Sequence, residues 1–146
     1  MTPIEQFFAH YERGANTFDP ELICAEFTEV FLGADPNGVV CLHNDQAFRD
    51  AIPLRQAFFS DIGFRSAKVL DIAETPLDAR YTLAKVHWRM VFAPQGAPRE
   101  FEFYISYVLF DPGSGPKVVF YISHEDEQQV MRDGGLIPPL EGKDSA

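Results

Sequence analysis

The sequence has few basic residues, only two cysteines and no long apolar run. Its 12 lysines and arginines face 22 aspartates and glutamates, so the net charge is −10, and the basic residues form no cluster. Binding to nucleic acid or to an anionic membrane surface needs concentrated positive charge, which argues against both partners. No apolar segment approaches the length of a transmembrane helix.

The cysteines, Cys24 and Cys41, lie far apart, and neither has a second cysteine beside it. This spacing fits neither a zinc site nor a dithiol motif, so we expect two free thiols in a reducing compartment. The N-terminal segment "MTPIEQFFAHYERG" has no basic region and no apolar core of a signal peptide. We therefore expect a cytoplasmic protein.

Aromatic residues are abundant. The 146 residues include 14 phenylalanines, five tyrosines and one tryptophan, and 46% of the chain is apolar. This length fits one domain. A short chain with so many rings has either a bulky core or a cavity with aromatic walls, and the composition favours a binding function.

Three helices are predicted near the N-terminus. Thr2 and Glu5 form a capping box, Asp19 can cap the second helix, and Asn44 should open the third. Pro53 lies within the third helix and should kink it or split it in two. The predicted helices cover residues 2–15, a short segment that begins at "FDPEL", and residues 44–63.

From residue 64 the apolar period changes from helical to alternating, which predicts strands. Short turns between long strands indicate antiparallel hairpins. The predicted strands cover residues 28–34, a short segment after the turn at 35–38, and residues 64–75, 79–93, 99–111 and 117–124. One or two helical turns should follow, so residues 1–135 form one domain and residues 136–146 a flexible tail.

Both faces of the strand at 99–111 are largely apolar. One face must pack on the helices, and the other needs a partner because monomers rarely expose so large an apolar patch. We therefore expect a homodimer through the sheet. The fold class is α+β: a cone-shaped roll in which three N-terminal helices pack on a curved antiparallel sheet and enclose a pocket.

This order of elements resembles the nuclear transport factor 2-like superfamily, which includes ketosteroid isomerase and the SnoaL-like cyclases and has a cystatin-like α+β roll. Residues 3 to 125 carry the resemblance. Between Tyr11 and Gly38 the chain aligns with bacterial ketosteroid isomerase without a gap. The resemblance implies that Tyr11 is an oxyanion-hole donor and that Asp35, followed by Pro36, is a general base. It places Ser106 where the isomerase has a protonated aspartate.

The chemistry implied by the resemblance is allylic proton transfer. This reaction needs a carboxylate base and a hydrogen-bond donor that faces the developing enolate. A carboxylate at the mouth of an apolar cone should have a raised pKa. Each residue also has a structural interpretation: Asp35 as a turn residue, Tyr11 as a core aromatic and Ser106 as a small strand residue.

Further residues are predicted to line the pocket and bind the ligand, although each could equally be plain core. No metal site is predicted, because three consecutive ligand types at His124-Glu125-Asp126 cannot converge on one ion. No cofactor is expected. The predicted ligand-binding residues are Phe31, Phe58, Trp88, Met90, Phe92, Tyr104 and Ser106.

Two functions remain open, beside a third possibility of a purely structural domain whose cone is filled by its own phenylalanine side chains. The first is a cofactor-free isomerase, cyclase or dehydratase that acts on a small, largely apolar, oxygenated compound, with Asp35 as base. The second is a dimeric module without catalysis that holds a small hydrophobic ligand or a partner segment. The serine at position 106 favours the second function, since its hydroxyl is a weaker acid than a protonated carboxyl.

Overall fold

A six-stranded sheet and four helices make up residues 1–138, the part of the chain that this computed structural model describes. The fold is α+β, as predicted. The helices are α1 (Pro3–Thr17), α2 (Pro20–Ala25), α3 (Gln46–Asp61) and α4 (Glu127–Asp133). The strands are β1 (Phe27–Asp35), β2 (Gly38–His43), β3 (Phe64–Pro76), β4 (Tyr81–Phe92), β5 (Arg99–Phe110) and β6 (Lys117–Ser123).

Side-chain caps start the helices. Thr2 and Glu5 form the predicted capping box of α1, since each side chain accepts a hydrogen bond from the other's backbone N–H. The cap of α3 is Asp45 rather than the predicted Asn44. The Asn44 side chain instead donates to the carbonyls of Cys24 in α2 and of Phe27 at the start of β1. Pro53 does not split α3, which continues through it as one helix.

The strand order is β2-β1-β6-β5-β4-β3, and the sheet is mixed. The neighbours joined by hairpins are antiparallel, but β1 runs parallel to β6. The prediction of a wholly antiparallel sheet was therefore wrong at this one junction. No hairpin joins β1 to β6, so turn geometry does not set their relative direction.

The helices cover one face of the sheet, and the residues of β4 show the division. Val86, Trp88 and Phe92 are buried beneath the helices, whereas Lys85 and Arg89 point to the other side. Rings that meet largely edge to face fill one end of the covered face with solid core. These rings belong to Phe18, Phe59, Phe64, Phe92 and Phe101.

Contact between β1 and β6 depends on a glycine. Gly33 pairs with Tyr121 across the parallel ladder, and a Cβ built on Gly33 would lie 2.6 Å from the Tyr121 hydroxyl oxygen. No real Cβ approaches an atom so closely. The absence of a side chain at Gly33 therefore lets the Tyr121 ring lie across β1.

The predicted tail begins at residue 136, but Leu136 and Ile137 are buried in the hydrophobic core. The N–H of Leu136 also donates to the Met131 carbonyl at the end of α4. The rest of the predicted tail, from residue 139, lies outside the described residues. The division of the chain at residue 135 stays a prediction.

Candidate functional site

The remainder of the covered face is not filled. A cavity of about 1260 Å³ lies between the sheet, α1, α3 and α4. Phe27, Phe31, Phe48 and Trp88 supply aromatic wall, and the space extends to exposed residues of the turn between β1 and β2. The cavity therefore has an inner end beneath α1 and a mouth between this turn and α4.

Three aromatic residues with polar atoms meet at the inner end. The indole Nε1 of Trp88 donates to the Tyr107 hydroxyl at 3.1 Å. The ring centre of Tyr11 lies 5.4 Å from that of Tyr107, and both residues line this end of the cavity. Burial raises the pKa of Tyr11, and the charge of the nearby Glu26 adds to the rise. The Tyr11 hydroxyl therefore stays protonated and remains a potential donor to a ligand.

A carboxyl group lies beside this cluster. Glu26 stands between α2 and β1, and its backbone is held on both sides: its N–H donates to Ile23 and its carbonyl accepts from Val118. The residue lines the cavity although it is only 6% exposed. Its Oε1 atom has no hydrogen-bond partner among the described residues. Desolvation raises the pKa of Glu26 from 4.5 to about 8.

The mouth is held by a contact across it. Asp35 ends β1, is exposed, and accepts a hydrogen bond from the Asn37 N–H at 2.8 Å through Oδ1. The Asn37 side chain donates to the Asp126 carboxylate at 2.8 Å, which links the turn to the start of α4. Asp35 thus stabilises the turn through this hydrogen bond, and it also borders the cavity.

A second polar cluster lies behind the mouth. The Ser123 hydroxyl donates to Glu127 Oε2 at 2.8 Å, and Arg55 of α3 faces the same space. Desolvation raises the pKa of Glu127, while the Ser123 hydrogen bond and the charge of Arg55 lower it. Burial raises the pKa of Tyr121, and the nearby charge of Asp35 adds to this rise. Tyr121, Glu127 and Asp35 all line this part of the cavity.

The structure brings five of the predicted site residues to this cavity: Tyr11, Asp35, Phe31, Trp88 and Met90. It does not bring the other four there. Phe92 is buried in the solid end of the core. Phe58, Tyr104 and Ser106 lie elsewhere.

Phe58 contacts a smaller depression of about 320 Å³ between α3 and α4. Tyr104 and Ser106 lie on the uncovered face of the sheet, where Tyr104 stacks on His87 with ring centres 4.3 Å apart. Ser106 Oγ lies 2.7 Å from His124 Nε2. Because successive strand residues point to opposite faces, a count that is off by one residue selects the wrong face. Tyr107, the next residue, is the one that reaches the cavity.

Sequence reasoning missed Glu26, Tyr107 and Glu127. Tyr107 could have been found, because it alternates with Phe103 and Ile105 on one face of β5. The sequence gives a weaker indication of Glu26, because it shows only an acidic residue directly before an apolar strand. Its burial follows from how α2 and β6 hold its backbone, which the local sequence does not show.

The described residues include no group of three or more His, Cys, Asp and Glu side chains placed to hold a metal ion. Among the helices within residues 1–138, none is both long enough and apolar enough to cross a membrane.

The sequence matches no protein-family model and no curated protein. Solved structures do match. An NTF2-like protein with a cystatin-like fold from Novosphingobium aromaticivorans has a TM-score of 0.70 at 15% identity, over 94% of this chain and 88% of that chain. The protein Aln2 from a Streptomyces species has a TM-score of 0.70 at 14% identity, over 88% and 91% of the two chains.

The beta subunit of the benzoate 1,2-dioxygenase from Burkholderia mallei has a TM-score of 0.66 at 13% identity, over 87% of this chain and 91% of that chain. At these identities the likeness shows the fold. The chain therefore has the nuclear transport factor 2-like fold, which confirms the resemblance and the cystatin-like α+β roll predicted from the sequence.

Replacing Glu26 by glutamine should change how stability depends on pH. Folding raises the pKa of this carboxyl from 4.5 to about 8, so the native state keeps a proton that the unfolded state releases. The free energy of unfolding should therefore fall as pH rises between about 5 and 8, by up to about 1.4 kcal/mol per pH unit. Urea unfolding across this range should show a flatter profile for Glu26→Gln.

The control is Asp61→Asn, which changes an exposed carboxylate at the end of α3, away from the cavity. This variant should keep the wild-type slope. Equal slopes in wild type and Glu26→Gln would show that the carboxyl does not take up a proton on folding.

Proposed function

We propose that this chain, which has the nuclear transport factor 2-like fold, binds a small, largely apolar, oxygenated molecule in its cavity. The cavity of about 1260 Å³ is the observation that carries the proposal. Its walls are largely apolar and include aromatic rings, and its polar groups gather at the inner end and the mouth, an arrangement typical of sites for small molecules. The chain's own side chains leave this space unfilled.

The finer proposal is catalysis without a cofactor, as an isomerase, cyclase or dehydratase. Tyr11 at the inner end would donate a hydrogen bond to an oxygen that becomes negative, and Asp35 at the mouth would act as base. Both residues border one cavity. Tyr121 lines the same cavity.

Ligand binding can be measured by tryptophan fluorescence, because the sole tryptophan, Trp88, forms part of the cavity wall. The ketone 2-tetralone is a suitable apolar, oxygenated probe. Quenching of Trp88 fluorescence should give a saturable binding curve. Ala51→Phe places a ring in the cavity from α3 and should weaken binding about ten-fold or more, a loss of about 1.4 kcal/mol.

Ala57→Phe is the matched control, because Ala57 lies on the same helix, is exposed and does not line the cavity. It should bind the probe as wild type does. Equal binding by both variants, or no binding by wild type, would contradict the proposal.

Catalysis by Asp35 can be tested with the same ketone in D₂O. A carboxylate base takes a proton from the carbon beside the bound carbonyl, and the carbon then regains a deuteron from solvent. Asp35→Asn should slow this exchange about 100-fold or more, since asparagine cannot accept the proton. Proton NMR of the probe follows the exchange as loss of the signal from that carbon.

Asp78→Asn is the control for folding and turn structure. Asp78 also accepts backbone N–H groups in a strand turn, but it does not line the cavity. Its variant should retain wild-type exchange. An Asp35→Asn protein that exchanges the probe at the wild-type rate would exclude Asp35 as the base.

The second candidate function is a dimeric binding or accessory module. The uncovered face of the sheet favours it: Val30 is 49% exposed and Leu32 37%, and the half-buried Phe120, Ile122 and Val108 continue the apolar surface across β6 and β5. One solved structure with the same fold is itself a dioxygenase beta subunit. We propose a second copy of this chain as the partner of this face.

Charge on the uncovered face supports self-association. His87 and Arg89 of β4 lie beside Glu102 and Glu100 of β5, so the face carries both signs next to each other. A two-fold interface brings the same patch of each copy together, and a patch with both signs can complement itself. The apolar part would supply the buried area.

Leu32→Glu should convert the dimer to monomer, because it would bury a charge in the apolar part of the interface. Sedimentation of wild type at micromolar concentration should give about twice the chain mass of 16.5 kDa, and that of the variant a single chain. Leu54→Glu, at an exposed position on α3, is the matched control and should remain dimeric. A wild-type monomer would contradict this proposal.

A further inference from the structure

The inner end of the cavity contains a carboxyl group that the fold does not use. Oε1 of Glu26 is buried and has no hydrogen-bond partner among the described residues, although neighbouring polar atoms of Trp88 and Tyr107 are bonded to each other. A buried polar group without a partner destabilises a protein by about 1–3 kcal/mol. Stability therefore does not explain why this carboxyl group is present, and its presence needs another explanation.

The surroundings of Glu26 leave space for its carboxyl. A Cβ built on Gly14 of α1 would lie 3.2 Å from Oε1 and 3.2 Å from Ile23 of α2, so the glycine makes room for the acid. Ile23 is apolar. The titratable neighbour of the acid is Tyr11 of α1, whose pKa is raised by burial and, to a lesser degree, by the charge of Glu26. No cation contributes to the shift of Glu26, whose resolved cause is burial.

These surroundings favour the neutral form of the acid near pH 7. A neutral carboxyl can donate its proton to an oxygen acceptor, whereas a carboxylate can only accept. A ligand with a carbonyl group can accept this proton and satisfy the group that the protein leaves unpaired. A ligand without a polar atom at this end leaves the penalty in place.

We propose that Glu26 anchors the ligand at the inner end of the cavity by donating a hydrogen bond to an uncharged carbonyl oxygen, so that it selects ketones and related carbonyl compounds over hydrocarbons of the same shape. This inference rests on the proposed small-molecule function and adds the class of ligand. Glu26 lies between α2 and β1, and the sequence interpretation did not identify it as a site residue.

Two probes of one shape test it: 2-tetralone, with a carbonyl, and tetralin, the same ring system without one. Equilibrium dialysis gives the dissociation constant of each. Glu26→Leu should raise the ratio of the ketone constant to the hydrocarbon constant about five-fold, the value of one neutral hydrogen bond. Glu26→Gln retains an N–H donor and should keep the ratio within about two-fold of wild type.

The pH provides a second measurement that does not depend on the leucine variant folding. Between about pH 6 and about pH 9.5 wild type should lose ketone affinity about five-fold as Glu26 ionises, while tetralin affinity stays constant. Tyr11 keeps its proton through this range because burial raises its pKa. Glu26→Gln should show no such loss. Asp61→Asn, at the exposed end of α3 and away from the cavity, should behave as wild type.

The outcomes separate the two proposals. If wild type binds neither probe, the small-molecule function fails. If wild type binds both probes but Glu26→Leu leaves their ratio unchanged, or Glu26→Gln loses ketone affinity with pH as wild type does, the assignment of Glu26 is wrong and the function stands.

Discussion

The parallel pairing of β1 with β6 is the constraint on which the rest of the cavity depends. Glu26 directly precedes β1 at the inner end, and Asp35 closes the strand at the mouth, so one strand carries both carboxyl groups. The pairing needs the Tyr121 ring to lie over Gly33, and it extends to the hydrogen bond from the Val118 N–H to the Glu26 carbonyl. A different neighbour for β1 would remove both acids from the cavity.

Asp35 is exposed to water whereas Glu26 is buried, and this difference in surroundings decides the chemistry of each carboxyl group. Asp35 is exposed and bonded to a turn N–H, so water and the turn can stabilise its charge. Glu26 is buried beside aromatic rings, so its neutral form is favoured and its pKa rises to about 8. The sequence interpretation assigned the poorly solvated carboxyl to Asp35, but in the structure Glu26 has that environment. A carboxyl group at the mouth and a neutral acid at the inner end would supply the complementary proton roles of the proposed catalysis.

The aromatic residues serve two purposes, and Phe59 contributes to both. At one end of the sheet the rings of Phe59, Phe64 and Phe92 pack against one another and fill the core. At the other end the walls include Phe31 and Trp88, and the space between them stays open. The rings that pack against one another bury apolar surface, which stabilises the fold. The rings of the cavity wall can remain spaced apart because α1 and the sheet already hold them in place.

Local patterns determined the elements, because capping, turns and the period of apolar residues act between near neighbours in the chain. They correctly predicted the helices, the hairpins and the buried face of β4, and the resemblance correctly predicted the fold. The tertiary structure alone decided how β1 meets β6, which face of β5 turns inward and where Glu26 lies. These features join segments far apart in the chain, and no turn links their registers. Ser106 and Tyr107 show the consequence: adjacent residues of one strand face opposite sides, and only packing against the helices decides which of them reaches the cavity.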